Sequence, residues 1–312
     1  VNMLTLQVIG RELQGDVVLL TLANSDGSAL PAFSAGAHID LHLAEDLVRP
    51  YSLCGDPQDR HHYRLGILKD GKSQGGSRAA HALQEGDRIQ VSLPRNLFAL
   101  DTAASHSLLI GGGIGITPML AMAAELHAAG RPFTLHYCAR SRSGAAFVPQ
   151  LESAIFAGQV RLHFSDEQRL DLARVLSDVP PNTHLYTCGP TRLMDAVTDR
   201  ARRLGFRPEQ LHQECFSAEV QTGGTAFEVV AASSGITVTV LENQTIVEAL
   251  AEAGLNVNVS CKQGICGSCL TDVLEGDPDH RDHYLTDEEK ADGDQILLCC
   301  SRAKCPRLVI DL

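Results

Sequence analysis

At 312 residues the chain is too long for one ordinary hydrophobic core and is expected to form about two or three domains. Its 44% hydrophobic and 21% charged residues are those of a globular protein, which excludes a disordered or fibrous chain, and no apolar run approaches the ~20 residues that span a bilayer. A net charge of −12 argues against a nucleic-acid binder, which needs basic residues to neutralise phosphates; the acidity suits solubility or docking on a basic partner.

The beginning, Val1-Asn2-Met3-Leu4, lacks a basic segment followed by an apolar stretch, so no secretory signal is expected and the location expected is the cytoplasm. Short β-rich runs follow at Leu4–Ile9, Val17–Leu22, His38–Leu43, Tyr63–Leu68 and Arg88–Leu93, with turn-forming stretches such as Asn24-Ser25-Asp26-Gly27 between them. This spacing predicts a barrel or sandwich, interrupted by one helix near Ser77–Leu83. Arg49-Pro50-Tyr51-Ser52-Leu53 reads as strand, with Arg49, Tyr51 and Leu53 on one face. An aromatic ring there suits a flavin face, a hydroxyl a flavin nitrogen and an arginine a phosphate. Gly75-Gly76-Ser77-Arg78 opens the helix with a geometry suited to cradling phosphate. Tyr51 reads equally as an ordinary barrel residue.

The period then changes. Strands at Ser107–Ile110, Phe133–Tyr137, Val160–Phe164 and His184–Thr187 alternate with helices near Pro118–Ala129, Pro149–Phe156, Leu172–Leu176 and Arg192–Leu204, which predicts a parallel sheet with crossover helices. The first strand runs into Gly111-Gly112-Gly113-Ile114-Gly115-Ile116-Thr117-Pro118. Glycines there let the backbone approach a pyrophosphate, Thr117 is expected to cap the helix and Pro118 to take its first position. Pro118 stands where the dinucleotide G-x-G-x-x-G pattern has its third glycine, and the turn alone is also consistent with a tight structural bend. The last strand ends in Cys188-Gly189-Pro190, at the carboxyl edge where open α/β sheets bind ligands. Ser165-Asp166-Glu167, after the third strand, offers carboxylates for ribose hydroxyls, which favours NADH over NADPH; Arg140 and Arg142 offer the opposite charge and read as exposed loop residues.

Residues 218–226 form a small-residue linker, followed by a hairpin at Phe227–Val230 and Ile236–Val240 and a helix Ile246–Ala253 capped by Thr245. Four of the ten cysteines then make one constellation. Cys261, Cys266 and Cys269 have the C-x4-C-x2-C spacing, and Cys299 follows 30 positions later; this is the plant-type [2Fe–2S] pattern. Each of two irons is completed by two thiolates, and Gly264 and Gly267 permit the bends that let three sulfurs converge. Structural zinc more often uses paired CxxC units. Cys300 and Cys305 are alternative fourth ligands by position. Residues 277–294 carry eight carboxylates against Arg281 and Lys290, either a docking face or a solvated helix whose capping box is Thr286–Glu289.

Taken in this order, the motifs resemble the phthalate dioxygenase reductase family, which includes vanillate O-demethylase reductase subunits. The resemblance spans R-x-Y-S-L at 49–53, G-G-S at 75–77, G-G-G-I-G-I-T-P at 111–118, Tyr186–Pro190, Glu214-Cys215-Phe216 and the cysteine loop. It implies a multidomain chain of all-β and α/β parts: a ferredoxin-reductase-like FMN-binding β-barrel at 1–102, a parallel α/β NADH-binding domain at 103–217, the linker at 218–226 and a plant-type [2Fe–2S] ferredoxin α+β domain at 227–312. It implies that Arg49, Tyr51, Ser52 and Leu53 contact FMN and that Gly75, Gly76 and Ser77 hold its phosphate. Gly113, Gly115, Thr117 and Pro118 then lie near the NADH pyrophosphate, Cys188, Gly189 and Pro190 near the nicotinamide, Asp166 by the ribose and Phe216 close to the flavin. Ser52 and Cys188 are the catalytic candidates, although no side chain need act as acid or nucleophile. The C-x-S-R pattern at 299–302 favours Cys299 as the fourth ligand. One departure is Gln74, where family members often have arginine; Arg78 or Arg49 is the expected substitute.

Electron counting fits this order. A nicotinamide gives two electrons as hydride, a cluster accepts one, and a flavin manages both. The expected path is NADH to FMN to [2Fe–2S] to a Rieske-type terminal oxygenase, with the chain a monomer. The alternatives are an FAD reductase of similar build, a non-enzymatic iron–sulfur sensor and a zinc-stabilised interaction protein.

Overall fold

The computed structural model describes residues 3–45, 47–71, 75–216, 221 and 223–312, so Gln74 lies outside the described residues. The chain divides into two compact units, Val1–Phe216 and Ser217–Leu312.

The first unit begins with β1 (Met3–Gln14), β2 (Val17–Ala23), β3 (Ala37–Ala44), β4 (Leu47–Ser52), β5 (Tyr63–Leu68), helix α1 (Gly76–Ala82), β6 (Arg88–Ser92) and β7 (Arg95–Asn96). Sheet order is β4-β3-β6-β1-β2-β5, all antiparallel, with β7 on β3. A Leu53–Leu65 bridge joins the two edges, so the sheet closes into a barrel. Strand alternation explains the wall. Ile39 and Leu41 of β3 have no exposed surface, while His38 and Asp40 face the other way, where the Arg95 guanidinium donates to Asp40 Oδ2 at 2.6 Å. Tyr51 and Arg49 pair with Ile39 and Leu41, so they share the inward face.

The same unit continues with β8 (His106–Gly112), α2 (Ile116–Ala128), β9 (Phe133–Ala139), α3 (Val148–Ser153), β10 (Val160–Phe164), α4 (Leu172–Ser177), β11 (Thr183–Cys188), α5 (Thr191–Arg203) and β12 (Leu211–Glu214). Order β10-β9-β8-β11-β12 is parallel throughout, as the alternating pattern predicts. Strand β12 is the addition. Leu211-His212-Gln213-Glu214 has too few residues to declare a period, yet it sets Glu214 beside Cys188. Helix α2 also differs from expectation. A 3-10 turn over Gly113–Gly115 precedes it and Ile116 is its first residue. Thr117 is no cap, because its hydroxyl donates to the Ile114 carbonyl at 2.9 Å, and Pro118 is the third helical residue.

The second unit holds β13 (Phe227–Ala231), β14 (Ile236–Val240), α6 (Ile246–Glu252), β15 (Leu270–Glu275), β16 (Pro278–Asp279), α7 (Asp287–Asp292), β17 (Gln295–Leu297), β18 (Arg302–Ala303) and β19 (Arg307–Ile310). Its sheet runs β14-β13-β19-β15-β17. Thr245 caps α6 reciprocally with Glu248, an arrangement worth about 1 kcal/mol. Of the expected linker 218–226, residues 218–220 and 222 lie outside the described residues. Arg281 donates to the carbonyls of Gln221 and Gly223 at 2.6 and 2.7 Å, and buried Arg302 to that of Thr225 at 3.1 Å. These two guanidinium groups hold Gln221, Gly223 and Thr225 within the second unit, an interaction that small-residue composition does not announce. Among the described residues no helix is long and apolar enough to cross a membrane.

Candidate functional site

In the first unit, β4 meets the carboxyl ends of β11 and β12. The Ser52 hydroxyl donates to Glu214 Oε2 at 3.4 Å, across 162 positions of sequence. Cys188, with no exposed surface, is the register partner of both Gly111 on β8 and Glu214 on β12. Desolvation pushes the Glu214 carboxyl up to about 8, offset in part by the Ser52 hydrogen bond. Burial, with Glu214 and Cys215 nearby, pushes the Cys188 thiol well above its ordinary value, so it stays a thiol. At neutral pH the three groups are therefore uncharged. In the sequence Glu214 stands only within the Glu214-Cys215-Phe216 resemblance, which gives it no role; its signal is the strand register, which the sequence does not display. Phe216, two residues on, packs against the apolar core of the parallel sheet.

Arg49 and α1 form a second part of the site. A side chain at Gly76 would overlap the Arg49 stem, 2.6 Å from its Cγ, so the arginine lies directly on the glycine backbone. Gly75 precedes the helix in the left-handed region at φ 103°, which glycine adopts without strain. Ser77 is buried and its hydroxyl accepts the Asp70 N–H at 3.1 Å. Tyr51 is half-buried, and burial pushes its hydroxyl up to about 12, so it is a neutral donor. Leu53 has no exposed surface; it belongs to the barrel core, and its N–H is spent on the Ala37 carbonyl at 2.9 Å.

The glycine turn serves two purposes. Side chains at Gly112 and Gly115 would collide with Pro190 and Leu193 and with the Cys188 carbonyl, respectively, so these glycines let the β8–α2 and β11–α5 loops pack together with Gly189. Gly113 is different. It has φ 54° and open space where a side chain would stand, leaving its backbone accessible. Thr117 and Pro118 are buried, and the Thr117 methyl lies over Gly66 of the barrel. Pro190 is exposed and precedes α5. Asp166 is exposed beyond β10, its N–H bonded to the Arg140 carbonyl at 3.1 Å. Arg142 is engaged elsewhere, 2.6 Å from Glu152 and over the Phe164 ring.

In the second unit, Cys261, Cys266, Cys269 and Cys299 are all at most 7% exposed. The Cys261 thiol reaches both Cys266 and Cys299, and its sulfur accepts the Gln263 N–H at 3.3 Å. The Cys300 thiol reaches Cys299 and lies against the loop, where a side chain at Gly264 would overlap its sulfur. Cys305 is bonded to residues 277 and 307 instead. Among the described residues no three metal-binding side chains converge on a single ion. A [2Fe–2S] cluster asks for something else, two thiolates on each of two irons, and four buried sulfurs drawn from one loop and one later segment fit it. Three of the eight carboxylates in the acidic run have cationic partners. Asp277 pairs with Lys304, Asp279 with Arg281 and Asp282 with Lys290, and Glu289 closes the α7 capping box.

Comparison with known proteins agrees with this division. Residues 229–304 match the 2Fe-2S iron-sulfur cluster binding domain family, and residues 87–211 match the N-terminal domain of dimethylamine monooxygenase subunit DmmA-like proteins. The vanillate O-demethylase oxidoreductase of Pseudomonas sp. (strain HR199 / DSM 7063) is 48% identical over 303 residues, 95% of this chain and 96% of that one. The solved structure of phthalate dioxygenase reductase, described as modular for electron transfer from pyridine nucleotides to [2Fe-2S], superposes with a TM-score of 0.77 at 38% identity, covering 99% of this chain and 98% of that one. A type IV self-sufficient cytochrome P450 monooxygenase superposes with a TM-score of 0.88 at 40% identity; this chain spans 41% of that longer protein.

Proposed function

The chain is an oxidoreductase of the oxygenase-reductase family represented by vanillate O-demethylase oxidoreductase and phthalate dioxygenase reductase, and from that premise we propose that it moves electrons from NADH through FMN to a [2Fe–2S] cluster and on to a Rieske-type terminal oxygenase, as a cytoplasmic monomer. The observation that carries the reading is the meeting of Ser52, Cys188 and Glu214, which brings the barrel strand of flavin-type residues against the carboxyl ends of the parallel strands. A bound flavin supplies the exchange of a two-electron hydride for single electrons. Ser52 supplies a hydroxyl at the reacting edge, and neutral Glu214 fixes that hydroxyl without adding charge. Tyr51 borders the ring, Gly113 gives a pyrophosphate close access to backbone, and Gly189, packed on Gly112, holds the Cys188 end of β11 beside it.

The Arg49–Gly76 contact sets a guanidinium beside the α1 turn, suited to one flavin phosphate. Arg49→Ala is expected to weaken flavin binding roughly 10- to 100-fold, the loss of a charge-assisted hydrogen bond. Arg78, exposed on α1, should matter less. Flavin per polypeptide after gel filtration measures both; full occupancy in Arg49→Ala contradicts the assignment. Chromatography of the released flavin distinguishes FMN from FAD.

NADH is the expected donor because Asp166 is exposed where a ribose would lie while Arg142 is committed to Glu152 and Phe164. A carboxylate repels a 2′-phosphate. Measured kcat/KM should favour NADH by about tenfold or more, the cost of one like-charge or unpaired contact. Equal values for the two nucleotides contradict this.

A further inference from the structure

The loop carrying Cys261, Cys266 and Cys269 rests on residues 280–285, a segment with no ligand of its own. A side chain at Gly264 would press on Asp282, 3.1 Å from its Cα, and one at Gly267 would collide with the Tyr284 ring. His283 N–H donates to the Gly264 carbonyl at 3.0 Å. The Asp282 side chain has no exposed surface. Its Oδ2 accepts the N–H groups of Tyr284 and Leu285 at 3.1 and 2.8 Å, and its Oδ1 accepts the Ser301 hydroxyl at 3.4 Å. Ser301 follows Cys299 and Cys300 directly and itself accepts the Arg281 N–H at 3.2 Å. Lys290, on α7, lies 3.8 Å from Oδ2 and donates to the Asp282 carbonyl at 2.7 Å; His280 Nδ1 is 3.7 Å from Oδ1. The 280–285 segment thus meets the three-cysteine loop through its backbone at Gly264, while the Asp282 carboxylate bonds to Ser301 beside the fourth cysteine, with two backbone N–H groups and the Lys290 ammonium around it.

We propose that Asp282 is a positioning residue of the iron–sulfur site, joining the two ligand-bearing segments and, as a buried anion partly offset by Lys290, holding the cluster's reduction potential low. The inference rests on the reading that the four cysteines hold a [2Fe–2S] cluster. Reduction adds one negative charge to the cluster, and a fixed anion behind its loop opposes that charge in a medium that screens poorly. Burial and nearby dipoles and charges set such potentials, and outer partners of ligands are part of that control.

The test is an EPR-monitored redox titration of the full-length holoprotein and two variants. Asp282→Asn keeps the shape and removes the charge; its reduction equilibrium should move about tenfold toward the reduced form, which is 59 mV upward for one electron. Lys290→Met removes the opposing cation from a surface helix and should move the potential downward. Opposite signs are the signature, because loosened packing gives no reason for them. If Asp282→Asn fails to assemble a cluster, Lys290→Met decides. Unshifted potentials, or shifts of the same sign, overturn the proposal while leaving the cluster reading intact. A parent protein without any reduced [2Fe–2S] signal overturns the cluster reading itself.

Discussion

Cys299→Ser is expected to abolish the iron–sulfur absorption and to stop electron flow beyond the flavin, whereas Cys300→Ser is expected to leave both in place. The two residues are adjacent and equally buried, at 3% exposure each, so burial does not separate them. Partners do. Cys299 reaches Cys261 of the three-cysteine loop, whereas Cys300 touches Cys299 and Ser301 and lies against Gly264, its sulfur 3.9 Å from the Leu297 carbonyl. Loss of a partner outside the ligand shell already costs about 10- to 100-fold in metal affinity or activity, and loss of a ligand costs more. Iron content and visible absorbance of the two purified variants measure the effect. NADH-dependent flavin reduction should survive in Cys299→Ser, because that step belongs to the other unit. A Cys300→Ser protein without cluster beside a cluster-loaded Cys299→Ser protein contradicts the assignment.

Ser52→Ala is expected to slow flavin reduction by NADH about 100-fold, the scale of losing one preorganised polar group at a reacting centre. Glu214→Gln acts differently, through pH. With its carboxyl near 8, Glu214 is neutral at pH 7 and ionises above it. An anion beside Ser52 opposes the negative charge that hydride brings, so the parent's reduction rate falls as pH rises through about 8, and Glu214→Gln removes that inflection. Stability follows the same linkage. The folded value lies above the ordinary 4.5, so the fold favours the protonated form; the contribution is fully present below 4.5 and is lost as pH rises toward 8. Glu214→Gln should flatten the stability profile across that window. Stopped-flow reduction rates and urea midpoints at several pH values measure the two effects, and an unchanged inflection in Glu214→Gln contradicts the role given to this carboxyl.

The sequence shows features carried by local chemistry. Cysteine spacing, a glycine turn after an apolar run and strict alternation in His38–Leu43 each act over a few residues, and the alternating strands and helices foretell the parallel sheet. Features made by register or by distant contact are hidden. Glu214 matters because a four-residue strand pairs with β11 and because Ser52 folds back to it. Gly112 and Gly115 look like pyrophosphate glycines, yet the space beside each is filled by the neighbouring loop, leaving Gly113 open. Thr117 resembles a cap, but a preceding 3-10 turn moves the helix start two residues earlier, to Ile116, and the Thr117 hydroxyl turns back to Ile114. The acidic stretch reads as one charged face until Asp282 turns inward and two neighbouring aspartates find cations.

Anaerobic titration of the purified protein with NADH, followed by visible absorbance and electron paramagnetic resonance, tests the electron path most directly. The path proposed requires both flavin and cluster bands to bleach and a reduced [2Fe–2S] signal to grow with added NADH. Flavin bleaching with no cluster signal, or no bleaching at all, contradicts it.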